Sequence, residues 1–158
     1  MPRFVLSLLL AAAMVLPAAA ESVAPRDGWR VIDVEMSYAD LLESLRAAVK
    51  AEKMGLVTEA GPTEVAAKRG ETIPGNRVVG VFRNDFAVRA VRLFPAAMIE
   101  APIRFYVTED ADGTATLSWK TPSFVFAPYM DEAGPELSEL AGELDAIFEA
   151  IGARATEG

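Results

Sequence analysis

The stretch IEAPIRFYVTEDADGTATLSWK, residues 99–120, decides the fold. Ile99, Ala101, Ile103, Phe105 and Val107 share one face, and Glu100, Pro102, Arg104, Tyr106 and Thr108 share the other. Alternation of this kind is the signature of a half-buried strand. EDADG, residues 109–113, is turn chemistry, and TATLSWK, residues 114–120, answers with Ala115, Leu117 and Trp119 on one side. The two runs predict a β-hairpin. Its apolar side must be covered. Its other side carries Arg104, Tyr106, Thr116 and Ser118, and is either solvated or meets another molecule. Pro102 has no N–H to donate, so it fits an edge strand, a bulge or a strand whose neighbour leaves a gap.

Working outward, WRVIDVEM (29–36) alternates Ile32, Val34 and Met36 with Val31, Asp33 and Glu35 and predicts a strand. Ser37 is placed to cap a helix with Asp40 three residues on. Leu41, Leu42, Leu45, Ala48 and Val49 form its apolar stripe, and Gly55 is the expected stop. LVTEA (56–60) predicts a second strand. Thr63 then caps a short helix from Glu64 to Arg69, ended by Gly70. RVVGVFR (77–83), apolar on both faces, predicts an interior strand. Asn84 caps a helix with the stripe Ala87, Ala90, Val91 and Phe94, stopped by Pro95. TPSFVFAPYMDEAGP (121–135) reads as a loop with an apolar middle. Pro135 opens a last helix with Leu137, Leu140, Leu144, Ile147, Phe148 and Ile151 inward, ending near Gly152. Helices over one face of a mostly antiparallel sheet bury every stripe, which is a two-layer α+β fold.

Composition narrows the function classes. The chain has 158 residues, no cysteine, no histidine and a net charge of −8. Disulfides are excluded, and the commonest transition-metal ligands and general base are absent. Such acidity argues against nucleic acid and anionic lipid as partners. Arg3 followed by the apolar run Phe4–Leu16, then Pro17 and Ala18-Ala19-Ala20, has the form of a secretory signal peptide cut between Ala20 and Glu21. The run is shorter than the roughly 20 residues a membrane span needs. The expected organisation is a signal peptide (1–20), a flexible lead-in (21–30) and one domain (31–155) in the periplasm or secreted, with no membrane span after cleavage.

Four stretches in order carry a resemblance: the first helix closing at KMGLVTEA, the junction VVGVFRNDFAVRAV, the strand EAPIRFYVTEDADGTATLSW, and TPSFVFAPY before the last helix. Together they resemble the domain of unknown function 302 family over about residues 31–150. The resemblance implies a fold similar to that of the TATA-binding protein, β-α-β4-α, with self-association and no agreed activity. The family's junction is usually Asn followed by Pro; here Asn84 matches and Asp85 replaces the proline. The family's later strand has Pro and often Arg two positions on, matched by Pro102 and Arg104. Many members carry a histidine after the second strand. None is present here, so no metal or acid–base role transfers to that position. A TATA-protein-like topology by itself implies nothing about DNA.

Arg83 and Asn84 at a helix start, with Pro102, Arg104 and Tyr106 on the later strand, form the candidate site for a small anion. The competing reading is an ordinary cap with two surface arginines. Phe124, Phe126, Tyr129 and Met130 pack under the last helix, line a pocket mouth, or join two subunits. The acids of EDADG lack the spacing of a calcium loop. No nucleophile motif, phosphate loop, metal site or cofactor signature is present. The expectation is a non-catalytic exported binding or accessory domain for a small anion or another exported protein. The alternative is a homodimeric interaction protein, and a His-free enzyme working with carboxylates or Tyr106 ranks last.

Overall fold

In a computed structural model of the chain, residues 23–157 are described. The signal-peptide reading of residues 1–20 lies outside them. The strands are β1 (Trp29–Val34), β2 (Gly55–Ala60), β3 (Asn76–Phe82), β4 (Ile103–Glu109) and β5 (Ala115–Lys120). The helices are α1 (Tyr38–Ala51), α2 (Thr63–Lys68), α3 (Asn84–Leu93), α4 (Pro122–Ala133) and α5 (Pro135–Thr156), with a short 3₁₀ helix at Pro95–Glu100. The strands form one antiparallel sheet in the order β1-β5-β4-β3-β2. No helix among the described residues is long and apolar enough to cross a membrane.

The two-layer α+β expectation holds. Ile103, Phe105, Val107, Ala115, Leu117 and Trp119 are buried on one face of the hairpin. The α1 stripe from Leu41 to Val49 and the α5 stripe from Leu137 to Ile151 belong to the same core. Ser37 caps α1, its hydroxyl accepting from the Asp40 N–H at 3.2 Å. β3 lies between β4 and β2, as its two apolar faces require.

Several boundaries differ from the sequence reading. The α1 stop is made by Lys53 at φ +57°, with Lys53 N–H bonding Lys50 C=O and Met54 N–H bonding Val49 C=O. That is a Schellman ending with lysine in the left-handed position, and Gly55 instead begins β2. Thr63 is the first residue of α2, and its hydroxyl donates to Pro74 C=O. Asn84 likewise sits inside α3; Arg83 holds the cap position, without a side-chain cap bond. Phe86 and Ala90 are the buried residues of α3, whereas Val91 is 46% exposed. The strand alternation does not extend back to Ile99, which lies in the 3₁₀ helix and is 79% exposed. Residues 122–133 are a helix rather than a loop. Thr121 is its N-cap, accepting from Phe124 N–H, Pro122 is its first residue, and Pro128 is carried inside it. Gly152 does not end α5, which continues to Thr156.

Candidate functional site

Antiparallel register sorts the open face of the sheet into rows, because directly paired residues point the same way. One row runs Asp33, Thr116, Thr108 and Asn76 across β1, β5, β4 and β3. The next runs Val31, Ser118, Tyr106, Val78 and, on β2, Ala60. In the last, Trp29 pairs with Lys120, while Arg104 pairs with Gly80 and Gly80 with Thr58. Since Phe105 pairs with Trp119, Arg104 and Lys120 are neighbours one step further along the same register.

This last row sits in a groove of about 400 Å³. Trp29, Arg104, Tyr106, Lys120 and Val78 line it from the sheet, and Glu100 and Val125 from the 3₁₀ helix and α4. Neighbouring strands lie about 4.8 Å apart, so two like charges side by side repel. Arg104 and Lys120 are such a pair. Neither forms an ion pair among the described residues, although Arg30, Arg46, Arg77, Arg83, Arg89 and Arg154 all do. The nearby carboxylate of Glu100 accepts the Tyr129 hydroxyl at 2.8 Å, and this bond raises the Tyr129 pKa by stabilising the phenol. Lys120 Nζ lies 5.6 Å from the Trp29 ring centre, and the Arg26 guanidinium 5.1 Å from it.

The middle of the face is less wet than the alternation suggests. Thr116 and Ser118 are fully buried. Thr116 is within hydrogen-bond distance of carboxylates on both Asp33 and Asp110, at 2.9 and 2.7 Å. The hydroxyls of Ser118 and Thr108 are buried without a hydrogen-bond partner among the described residues. Tyr106 is fixed by Asn76, whose Nδ2 donates to the phenolic oxygen and leaves its proton available. Pro102 precedes β4, and its ring fills the space above Gly80: a Cβ there would lie 2.9 Å from Pro102 Cγ and 2.2 Å from Thr58 Oγ1. A missing side chain on β3 therefore admits the proline beside Arg104.

Of the candidate anion residues, Pro102, Arg104 and Tyr106 gather on the open face, and Arg83 and Asn84 do not join them. Arg83 continues the parity of Val79 and Val81, so it points to the helix side. Its Nε donates to Asp85 at 2.8 Å and its guanidinium covers the Phe86 ring at 4.3 Å. That bond holds the Asp85 carboxyl below its ordinary range. A crevice of about 40 Å³ beside it is lined by Phe86, Ala90, Leu140 and Phe148. Asn84 is exposed at the start of α3. Trp29, Lys120 and Glu100 were absent from the sequence reading of the site. Lys120 follows from the β4–β5 hairpin, Trp29 from the pairing of the distant strand β1 with β5, and Glu100 from the 3₁₀ helix that leads into β4. Phe126 is buried in the core and Phe124 is 44% exposed, while Tyr129 and Met130 are half-buried against the core.

No group of three or more acids suited to a metal ion occurs among the described residues. Comparison with curated proteins finds no match. The crystal structure of an uncharacterized conserved protein DUF302 from Bacillus stearothermophilus is similar, with a TM-score of 0.71 at 18% identity, covering 82% of this chain and 99% of that one. At that identity the likeness concerns the fold. The family model for the domain of unknown function DUF302 matches residues 31–152, nearly all of the folded unit, and the chain belongs to that family.

Proposed function

We propose that this is an exported, non-catalytic binding domain that holds a small anion on the open face of its sheet, at Arg104. The observation that carries this reading is that Arg104 and Lys120, each one residue beyond the paired Phe105 and Trp119, line one groove in which the nearest acid, Glu100, is bonded to Tyr129 and forms no ion pair with either. In a chain of net charge −8, most arginines find a carboxylate, and two adjacent cations left without one are relieved by an incoming anion. Tyr106 adds a hydroxyl donor held in place by Asn76. Arg83 and Asn84 contribute to the opposite side of the sheet and have no part in this site. Export rests on the pattern of residues 1–20. The test is a melting screen against carboxylate, phosphate and sulfate salts at constant ionic strength. An anion that raises Tm in the wild type and not in Arg104→Ala supports the reading. A screen in which no anion acts, or in which Arg104→Ala responds equally, removes it.

A second reading, a homodimer without small ligand, is favoured by Phe124. Its ring is 44% exposed at the start of α4, packed over Gly28. It predicts twice the monomer mass in solution, reduced to the monomer by Phe124→Asp.

A further inference from the structure

The anion-binding reading leaves the ligand's body open, and the groove constrains it. The geometry points to an organic monocarboxylate carried on a flat apolar body, and this inference rests on the anion site at Arg104 proposed above. A volume of about 400 Å³ falls in the range of pockets that enclose small organic molecules and far exceeds what a bare oxyanion needs. Beyond the two cations the wall is mainly apolar, with the Trp29 indole, Val78, Val125 and the ring of Tyr106; its polar groups are Asn76, which is bonded to Tyr106, and the carboxylate of Glu100, which is held by the Tyr129 hydroxyl. An inorganic anion gains nothing from that surface, whereas an aromatic ring does.

The charge pattern limits the ligand to one anionic end. Arg104 and Lys120 lie in the row at one end of the face, the middle row carries no charge, and the row at the far end holds the carboxylate of Asp33. Asp110, beside Thr116, adds a second acid there. A dianion with its charges at opposite ends would set one of them against these carboxylates. The face between the ends is closed, since Ser118 is fully buried and the Pro102 ring covers Gly80, so the groove offers surface rather than depth. That favours a flat body over a bulky one.

The test is calorimetric titration of the full-length protein with benzoate, benzamide, acetate and inorganic phosphate in turn, repeated on Arg104→Gln and Lys120→Gln. Both positions are exposed, so the variants are expected to fold, and circular dichroism checks this. Benzoate is expected to bind at least about tenfold more tightly than acetate, phosphate or benzamide, and each variant to weaken it by about tenfold or more. Intrinsic fluorescence gives a second readout, with the benzoate response lost in Trp29→Phe. If phosphate or acetate binds as tightly as benzoate, the ligand class is wrong and the anion site stands. Should benzamide match benzoate, or none of the four bind, both the ligand class and the anion site fall.

Discussion

Gly152 on α5 lies against the indole of Trp119 on β5, so closely that a Cβ at position 152 would come within 2.4 Å of the ring. The indole is buried, tilted against Phe105 at 5.3 Å, and Phe105 in turn stacks on Phe148 of α5 at 4.7 Å. These rings fill the space between sheet and helix, and α5 approaches only because residue 152 has no side chain. Gly152→Ala is expected to destabilise the protein by about 1–3 kcal/mol through overpacking. The gain in helix propensity, about 1 kcal/mol, offsets only part of this, because a 2.4 Å approach to a buried ring puts the cost toward the upper end of that range. Gly142→Ala on the same helix meets nothing within 4 Å and is expected to stabilise by up to about 1 kcal/mol. Urea unfolding of both variants checks the pair; shifts of the same sign would contradict the packing argument.

The aromatic residues of α4 divide in the same way. Phe126 is buried in the core and Phe124 is 44% exposed. Phe126→Ala is expected to cost about 3–5 kcal/mol, the range for removing a buried ring. Phe124→Ala is expected to cost less than about 1.5 kcal/mol, in proportion to the area it buries. Equal losses would mean that α4 is not seated as described.

Lys53 offers a stabilising change. Its φ of +57° costs an L-residue about 1–2 kcal/mol that glycine does not incur. Lys53→Gly therefore predicts a gain of roughly 0.5–1 kcal/mol, once the greater entropy of unfolded glycine is counted against it. A lower Tm would mean that the α1 ending is not the Schellman turn.

Stability is also linked to pH through Glu59 on β2, which accepts bonds of 2.8 and 2.6 Å from Arg46 on α1. The side-chain bond from Arg46 holds the Glu59 carboxyl below its ordinary value and raises the Arg46 pKa. The native form thus binds its proton less readily than the unfolded form. The contribution is complete above the unfolded pKa and is lost as pH falls through the lowered native value. Because Arg46 is nearly half exposed, the pair is worth about 0.5–1 kcal/mol. Glu59→Gln should lower stability at pH 7 by that amount and leave it nearly unchanged at pH 2. A loss equal at both pH values would show that the carboxylate is not the source.

The sequence exposes α1 and α5 through their stripes, and the hairpin through strict alternation, because each buries one face against a single partner layer. It hides α4, whose aromatic and proline-rich composition has no clear helical period, although Thr121-Pro122 is a cap followed by a proper first residue. It hides the 3₁₀ helix because Ile99 happens to continue the alternation of β4. The site is half legible. Arg104 and Tyr106 share β4 and Pro102 immediately precedes it, so their common face follows from parity alone. Lys120 joins them through the β4–β5 hairpin, which the sequence does signal, whereas Trp29 arrives through pairing of β5 with β1, which no local pattern encodes. Arg83 falls on the helix side for a related reason: its distance to Arg104 in the chain says nothing about which side of the sheet each occupies.

The central claim, that the open face of the sheet carries the site and the helix side carries only core, is tested most directly by amide and indole chemical-shift mapping of the isotope-labelled protein during benzoate titration. The account predicts shifts concentrated at Trp29, Arg104, Tyr106 and Lys120, with the helix-side residues Arg83, Phe86 and Ala90 unmoved. Shifts centred on Arg83 and Asn84 instead, or spread evenly over both faces, would contradict it.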